Sequence, residues 1–249
     1  MSHSDCIDEP DNIYEALQTA LSAVQSRITN AMRLADRPSG SVRLLAVSKT
    51  FPVEAIIAAH RLGLRDFGEN YVQEAVAKIV ALASLRSQLV WHFIGPVQSN
   101  KTQIIATHFD WLHSLDRLKI AQRLHDQRPP DSAPLQVCLQ VNISHEATKS
   151  GLTPDAVIEL ALQVSQLKNL RLRGLMALPA PSILPDPEPF RQLRELFDVC
   201  NHRLAQHHFP LLDTLSMGMS ADLETAIKEG ATIVRVGSAI FGEREFRQC

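Results

Sequence analysis

Aromatic residues are scarce in this chain, at 5%, which argues against the interleaved aromatic and basic platforms that grip single-stranded nucleic acid. An excess of one charge is also missing. The net charge is −2, so bulk electrostatics supply no strong pull toward nucleic acid or an anionic membrane. No apolar run approaches the roughly 18 residues of a membrane span. The opening MSHSDCIDEPDN is polar and acidic, with no apolar signal core. The four cysteines, Cys6, Cys138, Cys200 and Cys249, form no C-x-x-C pair and no zinc-like spacing. They read as reduced thiols of a cytoplasmic protein. Also missing are G-x-G-x-x-G, the Walker A string, G-x-S-x-G and H-E-x-x-H. His207-His208 closes a helical stretch, where imidazoles complement the helix dipole more readily than they bind metal.

What is present is 249 residues, 45% hydrophobic and 21% charged, the profile of an ordinary soluble domain and the size of one α/β barrel. Residues 1–12 read as a disordered tail, and residues 13–249 as one domain. Ile13, Leu17, Ala20, Leu21, Val24, Ile28 and Met32 recur at helical steps, so a leading helix is expected over 13–34. The segment ADRPSGS breaks it. Short apolar runs then alternate with helical patterns. Strands are expected at 42–47, 65–67, 90–94, 110–113, 135–142, 170–176, 214–216 and 232–236. Helices are expected at 53–62, 72–82, 99–107, 116–125, 154–167, 189–207 and 221–229. The Pro-rich stretch 179–189 reads as a long loop at the barrel mouth. Alternating βα units imply a parallel sheet. This number of units in one chain predicts a single closed (β/α)8 barrel of the TIM type with an extra N-terminal helix, and the rival is an open doubly wound sheet.

Barrels place their chemistry at the C-terminal ends of strands. There the chain offers Ser48-Lys49-Thr50, Gly68-Glu69-Asn70-Tyr71, Asn142, the run Ser216-Met-Gly-Met-Ser220, and Arg235-Val236-Gly237-Ser238. Lys49 follows an almost unbroken apolar strand. Partial desolvation there favours the neutral amine that a Schiff base requires, although a rim lysine can equally snorkel to water. Gly218 permits close backbone approach, Ser216 and Ser220 offer hydroxyls, and a helix expected near Ala221 offers free N–H groups. Together with Gly237-Ser238 these are the loops after the last two strands, where barrels commonly hold phosphate. The rival reading makes Ser220 an N-cap and Gly218 a turn. Arg235 sits inside an apolar strand and needs an acceptor, either on a ligand or in a structural ion pair. His92 faces the same choice, with a satisfied barrel-interior histidine favoured. Lys101 and Lys149 read as solvated loop charges.

The strings AVSKTFPVEAI (46–56), FGENYVQEA (67–75), WHFIGPVQSNK (91–101), VNISHEATKSGL (141–152), RGLMAL (173–178) and SMGMSADLETAIKEGATIVRVGSAIFGER (216–244) resemble the pyridoxal phosphate homeostasis protein family. That family is related to the N-terminal barrel of alanine racemase. The resemblance implies pyridoxal 5′-phosphate (PLP) held as a Schiff base on Lys49. It also implies a phosphate held by Ser216, Met217, Gly237 and Ser238, and Arg235 aimed at the pyridine nitrogen. Asn70 and His92 fall on motif positions of the pocket.

The resemblance further implies a cofactor carrier or regulator without robust catalysis, with apo-PLP enzymes as possible recipients and neither nucleic acid nor membrane as a partner. The alternative is a PLP-dependent racemase or lyase. Racemases use a second acid/base, a tyrosine from a separate C-terminal β domain of a partner subunit. No such domain is evident in this sequence, which leaves Tyr14 and Tyr71, and Tyr71 is the one candidate. The same reasoning predicts a monomer. A barrel enzyme acting on a phosphosugar through Lys49 is a third reading.

Overall fold

The computed structural model describes residues 9–144, 150–179 and 186–242. Most of the expected tail, Lys149 and the centre of the Pro-rich loop lie outside them. Helix α1 (Glu9–Leu34) leads, so residues 9–12, expected in the tail, are helical. Eight parallel strands then close into a barrel in sequence order: β1 (Arg43–Val47), β2 (Asp66–Glu69), β3 (Val90–Phe93), β4 (Trp111–Leu115), β5 (Leu135–Val141), β6 (Leu170–Ala177), β7 (Thr214–Ser216) and β8 (Ile233–Val236). β8 pairs back onto β1, with Leu45 opposite Arg235. The open-sheet rival is thereby removed.

Between the strands run α2 (Val53–Arg61), α3 (Val72–Ala81), α4 (Thr102–His108), α5 (Leu118–Gln127), α6 (Pro154–Ser165), α7 (Glu188–Gln206) and α8 (Leu223–Lys228). A one-turn helix, α9 (Ser238–Phe241), follows β8. A 3-10 segment at Ala83–Gln88 precedes β3.

The main core lies between barrel and helices, because each strand turns alternate side chains outward. Phe67, Trp91, Phe93, Leu112 and Leu139 fill it with the apolar faces of the helices. Inside the barrel a smaller apolar cluster gathers Leu45, Trp111, Cys138, Met176 and Ile233. The rest of the interior is polar, with His92, His113, Ser216 and Arg235 all buried. Helix α1 buries Leu17, Leu21, Val24, Ile28, Ala31 and Met32 along one stripe and packs against α8 and α9. From that helix Arg27 pairs with Glu224 and donates to the Ser220 carbonyl at 2.9 Å. The leading helix thus anchors the loop after β7.

Candidate functional site

A cavity of about 660 Å³ opens at the C-terminal mouth of the barrel, within the usual range for small-molecule sites. Lys49, Asn70, Met219, Ser220, Arg235, Gly237 and Ser238 line it, over an apolar wall that includes Val47, Phe51, Ile94, Met176 and Leu178. Five of the eight residues expected at the site therefore meet there: Lys49, Asn70, Arg235, Gly237 and Ser238. Gly237 stands where a Cβ would lie 3.2 Å from the Val47 carbonyl, so the two strand ends close tightly. Asn70, at the end of β2, has a buried Oδ1 without a hydrogen-bond partner among the described residues.

The backbone on both sides of Lys49 is held by a buried ionic cluster. Lys78 of α3 donates to the Ser48 carbonyl (2.7 Å), to Glu69 Oε1 (2.8 Å) and to Glu74 Oε1 (2.6 Å), which uses all three ammonium protons. Ser48 Oγ donates to Glu69 Oε1 at 2.7 Å, and the Thr50 N–H donates to Glu74 Oε1 at 2.5 Å. Thr50 adopts φ +69°, a left-handed conformation that a β-branched residue rarely takes. The cluster fixes this turn and so sets where Lys49 leaves the strand. Burial raises the Glu69 carboxyl above its ordinary range, and neighbouring Lys78 opposes that rise.

Three expected site residues do not line the cavity. His92 is wholly buried, bonded to Asp66 and His113. Ile94, two residues further along the same face, reaches the cavity instead, because one strand repeat moves a side chain by about 7 Å along the barrel. Ser216 points into the barrel, where its Oγ meets His113 and Arg235. Met217 turns to the opposite face and joins the outer core. The chain then reverses at Gly218 (φ +90°), so the far end of the same run, Met219 and Ser220, reaches the mouth. Helix α8 begins at Leu223, two residues later than the sequence suggests. Ser220 is therefore not its N-cap.

Arg235 is 4% exposed and lines the cavity. It donates to the Ser216 carbonyl (2.6 Å), Ser216 Oγ (2.7 Å) and the Ala177 carbonyl (2.9 Å). No carboxylate pairs with it among the described residues, so the structural ion pair is absent there. Burial brings its guanidinium down to about 10, still charged at neutral pH. Further N–H donors remain beyond those three bonds. Tyr71 is exposed at the start of α3 and is not a lining residue. Lys101 ends a 3-10 turn and does not line the cavity either.

A closed parallel barrel, with a lysine after its first strand and a buried arginine in its last meeting at one cavity, defines a barrel of the alanine racemase class. The family model "Alanine racemase, N-terminal domain" matches residues 19–245. Alanine racemase from Clostridium difficile 630 shares the fold at a TM-score of 0.70 and 13% identity, over 94% of this chain and 58% of that one. Likeness is far higher to the pyridoxal phosphate homeostasis protein of Pseudomonas aeruginosa. That protein is 56% identical over 228 residues, which is 91% of this chain and 95% of the relative. PipY from Synechococcus elongatus PCC7942 is 36% identical, over 91% of this chain and 100% of that one. Its structures superpose at TM-scores of 0.80 without PLP and 0.76 with PLP bound. The chain belongs to the pyridoxal phosphate homeostasis protein family.

Proposed function

We propose that this chain binds PLP covalently through Lys49 Nζ and acts in PLP homeostasis, holding and releasing the cofactor without robust turnover of a substrate. The observation that carries this reading is the makeup of the cavity. Lys49 and Arg235 are its only titratable lining residues among those described, and an arginine is a poor acid or base at neutral pH. The PLP-bound PipY structure and the relatives' names support the choice of cofactor.

The residues present fit PLP. The cavity is large enough, Lys49 brings a primary amine, Asn70 Oδ1 has no donor among the described residues, and Ser220, Gly237 and Ser238 lie where barrels hold phosphate. When bound, PLP supplies an electrophilic aldehyde and, at its ring, an electron sink. Lys49 offers the amine that engages the aldehyde. Arg235 offers N–H donors to the ring nitrogen, which favours its unprotonated form and weakens the sink. Ser216 supports Arg235 from below. The apolar wall of Ile94, Met176 and Leu178 excludes water from one side.

The protein is read as a cytoplasmic monomer that buffers PLP or supplies it to apo-enzymes. Among the described residues no helix is long and apolar enough to cross a membrane. Borohydride reduction of PLP-loaded protein is expected to fix the label on Lys49, and Lys49→Ala is expected to lose it. A label retained elsewhere would sink the assignment. Incubation with an amino-acid panel in deuterated solvent separates the carrier from a racemase or lyase, since enzymatic α-proton exchange would favour the enzyme.

A further inference from the structure

A chain of polar groups, buried except for the half-buried Asp66, crosses the barrel beneath the cavity. Asp66 Oδ1 lies 3.0 Å from His92 Nε2. His92 Nδ1 lies 2.9 Å from His113 Nε2. His113 Nδ1 lies 2.8 Å from Ser216 Oγ, and Arg235 Nη1 lies 2.7 Å from that same Oγ. The five residues come from β2, β3, β4, β7 and β8. Trp111 stacks on His92 at 5.4 Å and 15°, which limits rotation of the ring. Two further charges act near the start of the chain, Arg43, 3.4 Å from Asp66, and Asp110, whose carboxylate opposes Arg43 at His92.

With both imidazoles neutral, chemistry allows only one direction along these links. A carboxylate accepts, so His92 donates from Nε2. A neutral His92 must then accept at Nδ1, so His113 donates from Nε2. His113 in turn accepts at Nδ1, which commits the Ser216 hydroxyl proton to it. The lone pairs of Ser216 Oγ are left for Arg235, a group that only donates. A charged His113 would donate to Ser216 Oγ in competition with Arg235, and a charged His92 would reverse the direction of the chain. Burial holds both rings below the ordinary imidazole range, His113 well below it, which keeps them neutral.

We infer that Asp66, His92, His113 and Ser216 are positioning residues, an ordered hydrogen-bond chain that fixes the plane of Arg235 from the barrel floor. The chain also links Arg235 to the Asp66 carboxylate; among the described residues no carboxylate pairs with Arg235 directly, and Asp222 acts on it only at longer range. The consequence for a ligand rests on the PLP reading above: the chain determines how well Arg235 meets the ring nitrogen, without itself reaching the cavity.

Two measurements test this. First, ¹⁵N-histidine spectra of the apo-protein should show His92 and His113 as neutral Nε2–H tautomers at neutral pH. The opposite tautomer or a charged ring at either position overturns the chain. Second, dissociation constants are compared for PLP and for its carbocyclic analogue, in which C–H replaces the ring nitrogen. Asp66→Ala, at the far end of the chain, and Ser216→Ala should each weaken PLP binding by about tenfold, the worth of one hydrogen bond. Both variants should bind the analogue as the parent protein does. Equal losses for both compounds, or no loss for either, would overturn the inference. If the parent protein bound neither compound, the PLP reading would fail, and the tautomers would still decide the chain.

Discussion

Replacing Lys78 by methionine probes the cluster behind Lys49. The substitution keeps most of the side-chain volume and removes the ammonium. Lys78 is 5% exposed and Glu69 0% exposed in their side chains, so the variant leaves a buried carboxylate with only Ser48 Oγ as donor. Breaking a buried pair from one side costs about 3–5 kcal/mol, which for a domain of this size is a fall in Tm of roughly 6–20 °C. The sign of the pH dependence follows from Glu69. Burial raises its folded carboxyl, and Lys78 is the main opposing influence, so the variant should raise it further. A carboxyl raised by folding binds more protons in the native state, and its stability contribution is lost as pH rises through the folded value. Lys78→Met should therefore be closest to the parent in mild acid and fall behind as pH increases. Adding Glu69→Gln should recover much of the loss and flatten the pH profile, since an uncharged amide replaces the stranded carboxylate. Thermal unfolding by circular dichroism across pH reads all of this, and borohydride trapping reads whether Lys49 is still correctly presented. A Tm within about 2 °C of the parent at every pH, below the shift that 1 kcal/mol produces, would refute the reasoning.

Gly174→Ala places a Cβ 1.7 Å from the Thr214 carbonyl, where β6 and β7 pair. It should cost at least about 3 kcal/mol in urea unfolding, and a cost under about 1 kcal/mol would contradict the close approach. Gly237→Ala meets the Val47 carbonyl at only 3.2 Å and has no left-handed backbone to strain. Its stability should change by about 1 kcal/mol or less, while PLP binding weakens more than pyridoxal binding when the two are titrated side by side. Burial pushes the Cys138 thiol up to about 12 and that of Cys200 to about 11. Alkylation of native protein at neutral pH should thus spare both, and peptide mapping should find them modified only after denaturation.

The alternation of apolar runs and helical periods revealed all eight strands to within a few residues, because each unit buries one face against the next. Elements too short for a period to register were not legible. The 3-10 segment at Ala83–Gln88 and the one-turn helix Ser238–Phe241 are of this kind. The site divides along the same line. Lys49, Asn70, Arg235, Gly237 and Ser238 were readable because they follow or end strands at the mouth. His92, Ser216 and Met217 share those motifs but lie deeper or on the other face, and depth inside a barrel depends on register between strands that no single segment records. Lys78 left a weak signal, since Glu74 and Lys78 have the spacing of an ordinary surface pair. Only the closeness of Glu69 across the β2–α3 turn makes that pair a buried cluster.

Holding a cofactor and turning over a substrate place different demands on the same cavity. Racemisation needs an acid or base on each side of the reacting carbon, each within hydrogen-bond reach of the proton it moves. Here Lys49 can serve one side. Across from it the described lining offers hydroxyls, an amide, an arginine that only donates, and apolar carbon. Tyr71, the remaining hydroxyl acid in the neighbourhood, is turned to solvent. The charged groups that could have served are committed elsewhere: Glu69, Glu74 and Lys78 to the backbone around Lys49, and His92 and His113 to the chain beneath Arg235. Polar groups spent in this way hold the backbone on either side of the lysine and the guanidinium of the arginine. Order of that kind favours binding in one geometry, as the proposed role in holding PLP through Lys49 requires.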